Sequence, residues 1–159
     1  MGTANREQLE SEIIDRSESG TWDEAKLEWD LERIYDDDER GRCLCGQYPI
    51  KEKCVLKNNI NEKEVIVGNV CVRQFMGLPS DWIFKSLKKI KINPDASLNK
   101  ETLEFMHGKG YMDDWQYDFS MDTLNQRCIT ERQMIQRRKI IEIFREKVIS
   151  NRNVVHSLS

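Results

Sequence analysis

The chain has 159 residues, of which 38% are hydrophobic and 33% charged, with a formal net charge of −3. That length fits one domain, or one small domain with a helical extension, and the composition predicts a modest core under a charged surface. No apolar run approaches the roughly 20 residues that span a bilayer, and the polar start from Met1 to Leu9 lacks a signal-peptide apolar region; the expectation is a soluble, cytoplasmic protein with no membrane partner.

The charges fall in blocks. Residues 1–41 carry 5 basic and 14 acidic side chains, residues 42–91 carry 10 and 4, residues 92–126 carry 2 and 7, and residues 127–159 carry 8 and 3. Such alternation bears on partners and self-association rather than on fold.

Residues 6–16 predict a short acidic helix with Leu9, Ile13 and Ile14 on one side, ended by Ser17-Glu18-Ser19-Gly20. Thr21 and Glu24 match a capping box and predict a helix over 22–35, with Trp22, Ala25 and Trp29 on its apolar stripe and Leu27, Leu31 and Ile34 widening it. Asp36-Asp37-Asp38-Glu39 would then crowd a helix C-terminus, so it reads as a loop. Residues 53–58 and 64–69 read as two strands joined at Asn59-Ile60-Asn61-Glu62. If that turn centres on Asn61 and Glu62, Cys54 lies opposite Asn69.

A helix is predicted from about Val70 to Gly77-Leu78-Pro79, and another from Ser80 to about Ile90 with Ile83, Phe84, Leu87 and Ile90 inward. After the break at Asn93-Pro94-Asp95, a helix from about Asn99 to His107 should end at Gly108. An aromatic segment follows, with Tyr111, Trp115, Tyr117 and Phe119. Thr130 and Gln133 form a second capping box, opening the longest helix, about 131–150, with Met134, Ile141, Phe144 and Val148 on one face. The expected fold is mostly α with a small β-hairpin: an acidic helical arm (1–41), a hairpin-helix module (42–95) and a helical C-terminal region (96–159).

The cysteines carry the clearest chemistry. Cys43, Cys45, Cys54 and Cys71 follow the spacing C-x-C-x8-C-x16-C, with Gly46 directly after the second. A reducing compartment disfavours disulfides, so clustered thiols point to a metal. Glycine lets a knuckle turn around the ion, and Cys71 falls in the first turn of a helix, where the dipole favours thiolate. Knuckle, hairpin and helix start is a treble-clef-like layout, and four thiolates would close a structural zinc site embedded between helices. Lys51, Lys53 and Arg73 flank the ligands and could balance their charge. The competing reading is of small buried thiols. His107 is the one plausible substitute ligand, His156 lies in the polar tail, and Cys128 is expected to be a core thiol before the last helix.

The run from Arg42 to Cys54 (RCLCGQYPIKEKC), continued by Val67-Gly68-Asn69-Val70-Cys71-Val72 and Phe75-Met76-Gly77-Leu78, resembles a family of small zinc-binding proteins of bacteria and their phages or prophages. Asp114-Trp115-Gln116-Tyr117 and Ile129-Thr130-Glu131-Arg132-Gln133 look like that family's C-terminal segment. The family pattern carries Asn-Gly at the hairpin tip; Asn61-Glu62 here implies a longer loop.

No phosphate-binding loop, dinucleotide fingerprint, nucleophile elbow or zinc-protease helix motif is present, and no small-molecule substrate is evident, so the expectation is a binding protein and not an enzyme. Lys51, Lys53, Arg73, Lys85, Lys88 and Lys89 are the candidate nucleic-acid contacts, the last three spaced i, i+3, i+4 on one helix. Arg132, Arg137, Arg138 and Arg145 form a second basic set. The rival is a protein partner: an inhibitor or regulator of a mobile element, docking through the acidic residues 1–41 with Trp22 or Trp29 as anchor.

Overall fold

In the computed structural model, residues 3–149 are described, apart from the side chains of residues 3 and 36–39, and the chain divides into two units, residues 3–80 and Asp81–Ile149. The expected polar tail, with His156, lies outside the described residues.

The first unit opens with α1 (Thr3–Asp15) and a short α2 (Trp22–Ala25) that tightens into a 3-10 turn (Lys26–Glu28). Three strands follow, β1 (Trp29–Gly41), β2 (Ile50–Asn58) and β3 (Glu64–Gly68), in an antiparallel sheet of order β1-β2-β3. The predicted helix over 22–35 is therefore corrected: it ends within two turns, Thr21 makes no side-chain cap bond, and the remainder is an edge strand that extends through the expected acidic loop. The cause is a bulge. Leu31 pairs with Leu56 and Arg33 with Val55, so Glu32 is an extra residue. Trp29, Leu31 and Ile34 thus share a face although their spacing is not strictly two, and a strand with an inserted residue mimics helical periodicity.

That face, completed by Cys54, Leu56, Val65 and Val67, is buried. Tyr35, Val55 and Ile66 pack together on the opposite face. α1 is pinned at both ends of the sheet. Asn5 donates to the Cys45 carbonyl (3.2 Å), while beyond the helix Trp29 Nε1 donates to Ser17 Oγ (2.7 Å) and Asn61 to the Arg16 carbonyl (2.9 Å). Leu9 and Ile13 are fully buried as expected of its apolar side.

Cys54 pairs with Val67, not Asn69, and Lys53 with Gly68. The turn is longer than a two-residue hairpin: Asn58 N–H donates to the Lys63 carbonyl, the Asn58 side chain accepts from the amides of Ile60 and Asn61, and Glu62 adopts a positive φ of 63°. Glu28 ties this turn to the break after α1. Its carboxylate accepts from the Glu18 amide (2.8 Å), the Ser19 amide (2.8 Å) and Asn58 Nδ2 (2.9 Å). β3 runs into α3 (Asn69–Cys71), which widens into a π-type turn (Val72–Met76) before Gly77.

The second unit is helical. α4 (Ser80–Ile92) buries Ile83, Phe84, Leu87 and Ile90, as its periodicity predicts. α5 (Lys100–Gly108) starts at Asn99, whose side chain accepts from the Thr102 amide, and buried Ser86 and Thr102 bond across α4 and α5 at 2.9 Å. Its left-handed terminal residue is Gly110 (φ 78°), not Gly108, because the chain makes one more turn before Tyr111 N–H returns to the Met106 carbonyl. The aromatic segment is a helix, α6 (Asp114–Asp122), capped by an Asp113–Gln116 box. α7 (Glu131–Lys147) has the predicted Thr130–Gln133 box and buries Ile140, Ile141 and Phe144. Cys128, expected in the core, is exposed; it lies in the polar turn before that cap.

Hydrogen bonding, first from Asn58 and then from the Glu18 amide, lowers the Glu28 carboxyl from its ordinary 4.5 to about 2. A depressed carboxyl contributes stability that is complete above its unfolded value and is lost as pH falls through its folded one. Glu28→Gln should lower Tm by on the order of 5 °C at pH 7. The gap to the parent should close as acid melts are taken from about 4.5 towards 2. A gap independent of pH would remove Glu28 from this role.

Candidate metal centre

The loop between β1 and β2 is a tight knuckle. Gly46 N–H donates to the Cys43 carbonyl (2.8 Å) and Cys43 N–H to the Gln47 carbonyl (2.9 Å). Gly46 has φ 93°, and a Cβ there would lie 2.8 Å from Gln8 Oε1, so both its backbone and its surroundings call for glycine. The fold turns amides toward the sulfurs. Cys45 N–H points at Cys43 Sγ (3.5 Å), Gln47 N–H at Cys45 Sγ (3.4 Å) and, from the end of β3, Gly68 N–H at Cys43 Sγ (3.1 Å). Asn5 of α1 adds its amide to Cys45 Sγ at 3.9 Å. α3 then delivers Cys71, whose sulfur is 3.7 Å from that of Cys43.

Cys43, Cys45 and Cys71 are all buried, and their sulfurs lie within 4.8 Å of one another, the one such metal-competent group among the described residues. Tetrahedral coordination at a Zn–S length near 2.3 Å separates sulfurs by about 3.8 Å, so the Cys43–Cys71 spacing suits a zinc-sized ion. Donor type and burial fit as well: a buried set of thiols with amides aimed at the sulfurs favours a thiophilic cation and the deprotonated ligands it needs. A cavity of about 360 Å³ opens beside Cys43 and Cys71, with Pro49, Ile50, Lys51 and Asn69 on its wall, and gives access from solvent.

The protons are unequally held. The Cys43 thiol is lowered from 9.0 to about 6, first by the hydrogen bond from Cys71 and then by the Cys45 and Gly68 amides, which together outweigh burial. Cys71 is raised, first because it donates to Cys43, and burial raises Cys45. A cation bound here must displace the protons of these sulfurs.

No family model, no curated protein and no solved structure matches this chain.

Cys54 stands apart from the three. It is fully buried in the central strand, its thiol against the Ser80 side chain, and burial pushes it up to about 12. His107 is engaged elsewhere, its Nε2 2.8 Å from Asp114 Oδ1 and its ring stacked on Tyr117. Among the basic candidates, Lys51 and Arg73 are exposed, but Lys53 is only 6% exposed, with its ammonium over the Tyr35 ring. Lys53 therefore belongs to the interior and not to a phosphate-contacting surface. Lys85, Lys88 and Lys89 are exposed on α4. Asn5 and the Gly68 amide were not legible as part of the site, because backbone donors and a distant helix carry no spacing signal. No helix among the described residues is long and apolar enough to cross a membrane.

Cys45→Ser or Cys71→Ser should weaken zinc binding, measured by competition with a chromogenic chelator, by at least roughly 100-fold, with Cys128→Ser unchanged. Affinity should fall as pH is lowered and protons reclaim the sulfurs. Equal affinities for all three variants would mean that the cluster is not the metal site.

Proposed function

We propose that this chain is a non-enzymatic, nucleic-acid-binding protein whose N-terminal unit is held by a structural zinc ion. Cys43, Cys45 and Cys71 supply three thiolates, and Cys54 of β2 is assigned as the fourth, in a treble-clef-like module. The order of knuckle, hairpin and helix start supports the module, and the resemblance of the cysteine block supports zinc and a bacterial, phage or prophage source.

The observation that carries the nucleic-acid reading is the outer face of α4. Lys85, Lys88 and Lys89 are exposed there opposite the buried stripe, and Trp82, 45% exposed, lies beside them with the Lys85 ammonium 4.5 Å from its ring centre. Lys85 also pairs with Asp81 at 3.3 Å and Lys89 reaches Ser97 Oγ at 3.4 Å. Both are weak surface contacts that a phosphate could displace. An aromatic ring among lysines offers stacking as well as charge.

The competing reading, a regulator that docks through residues 1–41, must accommodate the pairing of β1 along β2. Deleting that segment would remove an edge strand, so a deletion tests the fold before it tests a partner.

Fluorescence anisotropy with a labelled 20-mer should show affinity falling steeply with salt. Replacing Lys85, Lys88 and Lys89 together by alanine should reduce affinity at least tenfold near 0.1 M salt and flatten the log–log salt slope by roughly 3. Binding that ignores salt, or survives the triple change, would refute this reading.

A further inference from the structure

A groove of about 430 Å³ lies between α6 and α7, away from the lysine stripe in sequence. Its walls follow from helical spacing: Trp115 and Phe119 stand i, i+4 on α6, while Arg132, Ile135 and Gln136 stand i, i+3, i+4 on α7. Trp115 is 58% exposed and stacks on Phe119, with centroids 5.5 Å apart and planes within 10°. Ile135 is 46% exposed. Gln133, also on the wall, spends its carbonyl oxygen on the Thr130 cap and on Gln126, so its NH2 group remains as a donor.

The charge at this groove is one-sided. No carboxylate lines it. Of the four arginines that α7 carries, Arg137 donates to the Thr123 carbonyl (2.9 Å), Arg138 pairs with Asp95 (2.9 Å) and Arg145 with Glu142 (3.6 Å). Arg132 is exposed, on the groove wall, and has no partner among the described residues. An occupant must therefore offer a flat or apolar group for Trp115, hydrogen-bonding edges for amide side chains, and negative charge for a guanidinium.

We propose that this groove is a base-stacking site for single-stranded nucleic acid, with a base on Trp115, amide donors from Gln133 and Gln136 at its edge, and a phosphate on Arg132. A paired duplex keeps its bases stacked on one another and cannot present a free face here, whereas every base of a single strand can. The inference rests on the nucleic-acid reading given above and adds strandedness and a second contact to it.

The test uses the full chain with oligo-dT and with a duplex of equal length. Trp115→Ala removes a largely exposed side chain and should retain the parent circular dichroism. It should lose about tenfold in single-strand affinity, within the range of 1–3 kcal/mol for one base–aromatic stack, with duplex affinity unchanged. Arg132→Ala should show the same selectivity. An oligo-dT carrying bromodeoxyuridine should photocrosslink to Trp115 on peptide mapping. Equal losses for both nucleic acids, no loss, or crosslinks confined to α4 would overturn the groove and leave the lysine face standing. Quenching of tryptophan fluorescence by oligo-dT that persists in the triple lysine variant but vanishes with Trp115→Ala would support the groove even if the lysine face failed. Capture of an apolar peptide at Trp115, with no quenching by oligo-dT, would also overturn it.

Discussion

The meeting of three sulfurs at one end of the sheet is the constraint on which the first unit depends. Cys43 and Cys45 come from an irregular loop and Cys71 from the first turn of a helix, so their encounter fixes the exit from β1, the entrance to β2 and the end of β3 together. Most of the donors aimed at these sulfurs are backbone amides, which cannot be withdrawn without unmaking the knuckle or the last residue of β3. Three sulfurs within 4.8 Å of one another cannot all be ionised without a counter-charge, because like charges at that range repel. A divalent cation at this cluster would hold all of them as thiolates, and metal binding would then become folding free energy.

The rest of the unit is arranged to present that end. α1 spans the sheet with Asn5 at the knuckle and its far end pinned beside the β2–β3 turn. Glu28 and Asn58 organise the opposite end through charge-assisted and amide hydrogen bonds. Cysteine cluster and carboxylate hub thus lie at opposite ends of one small sheet. The second unit has no comparable staple and relies on capped helices, two of them closed by complete capping boxes. Both surfaces proposed for nucleic acid, the lysine face of α4 and the α6–α7 groove, belong to this helical unit.

Local chemistry was legible in the sequence wherever one residue dictates one conformation. The C-x-C-G run located the knuckle, Thr130 and Gln133 located the start of α7, and the stripe Ile83, Phe84, Leu87, Ile90 located the inner face of α4. What failed were inferences that depended on counting residues across an irregularity. The extra residue at Glu32 disguised β1 as a helix. Asn58, bonding forward into its own turn, moved the centre of the hairpin and placed Cys54 opposite Val67. Trp115, Tyr117 and Phe119 alternate in a way that hides the helix, although Asp113 and Gln116 announced its start. Lys53 looked like a surface charge because nothing local signals that Tyr35 covers it.

The cysteine cluster is proposed to hold zinc through sulfur. Zinc K-edge X-ray absorption on the 159-residue chain, as purified without added metal, tests this. One zinc per chain is expected, with a sulfur-dominated coordination shell at about 2.3 Å. A chain that folds without zinc, or a shell made only of nitrogen and oxygen, would contradict it.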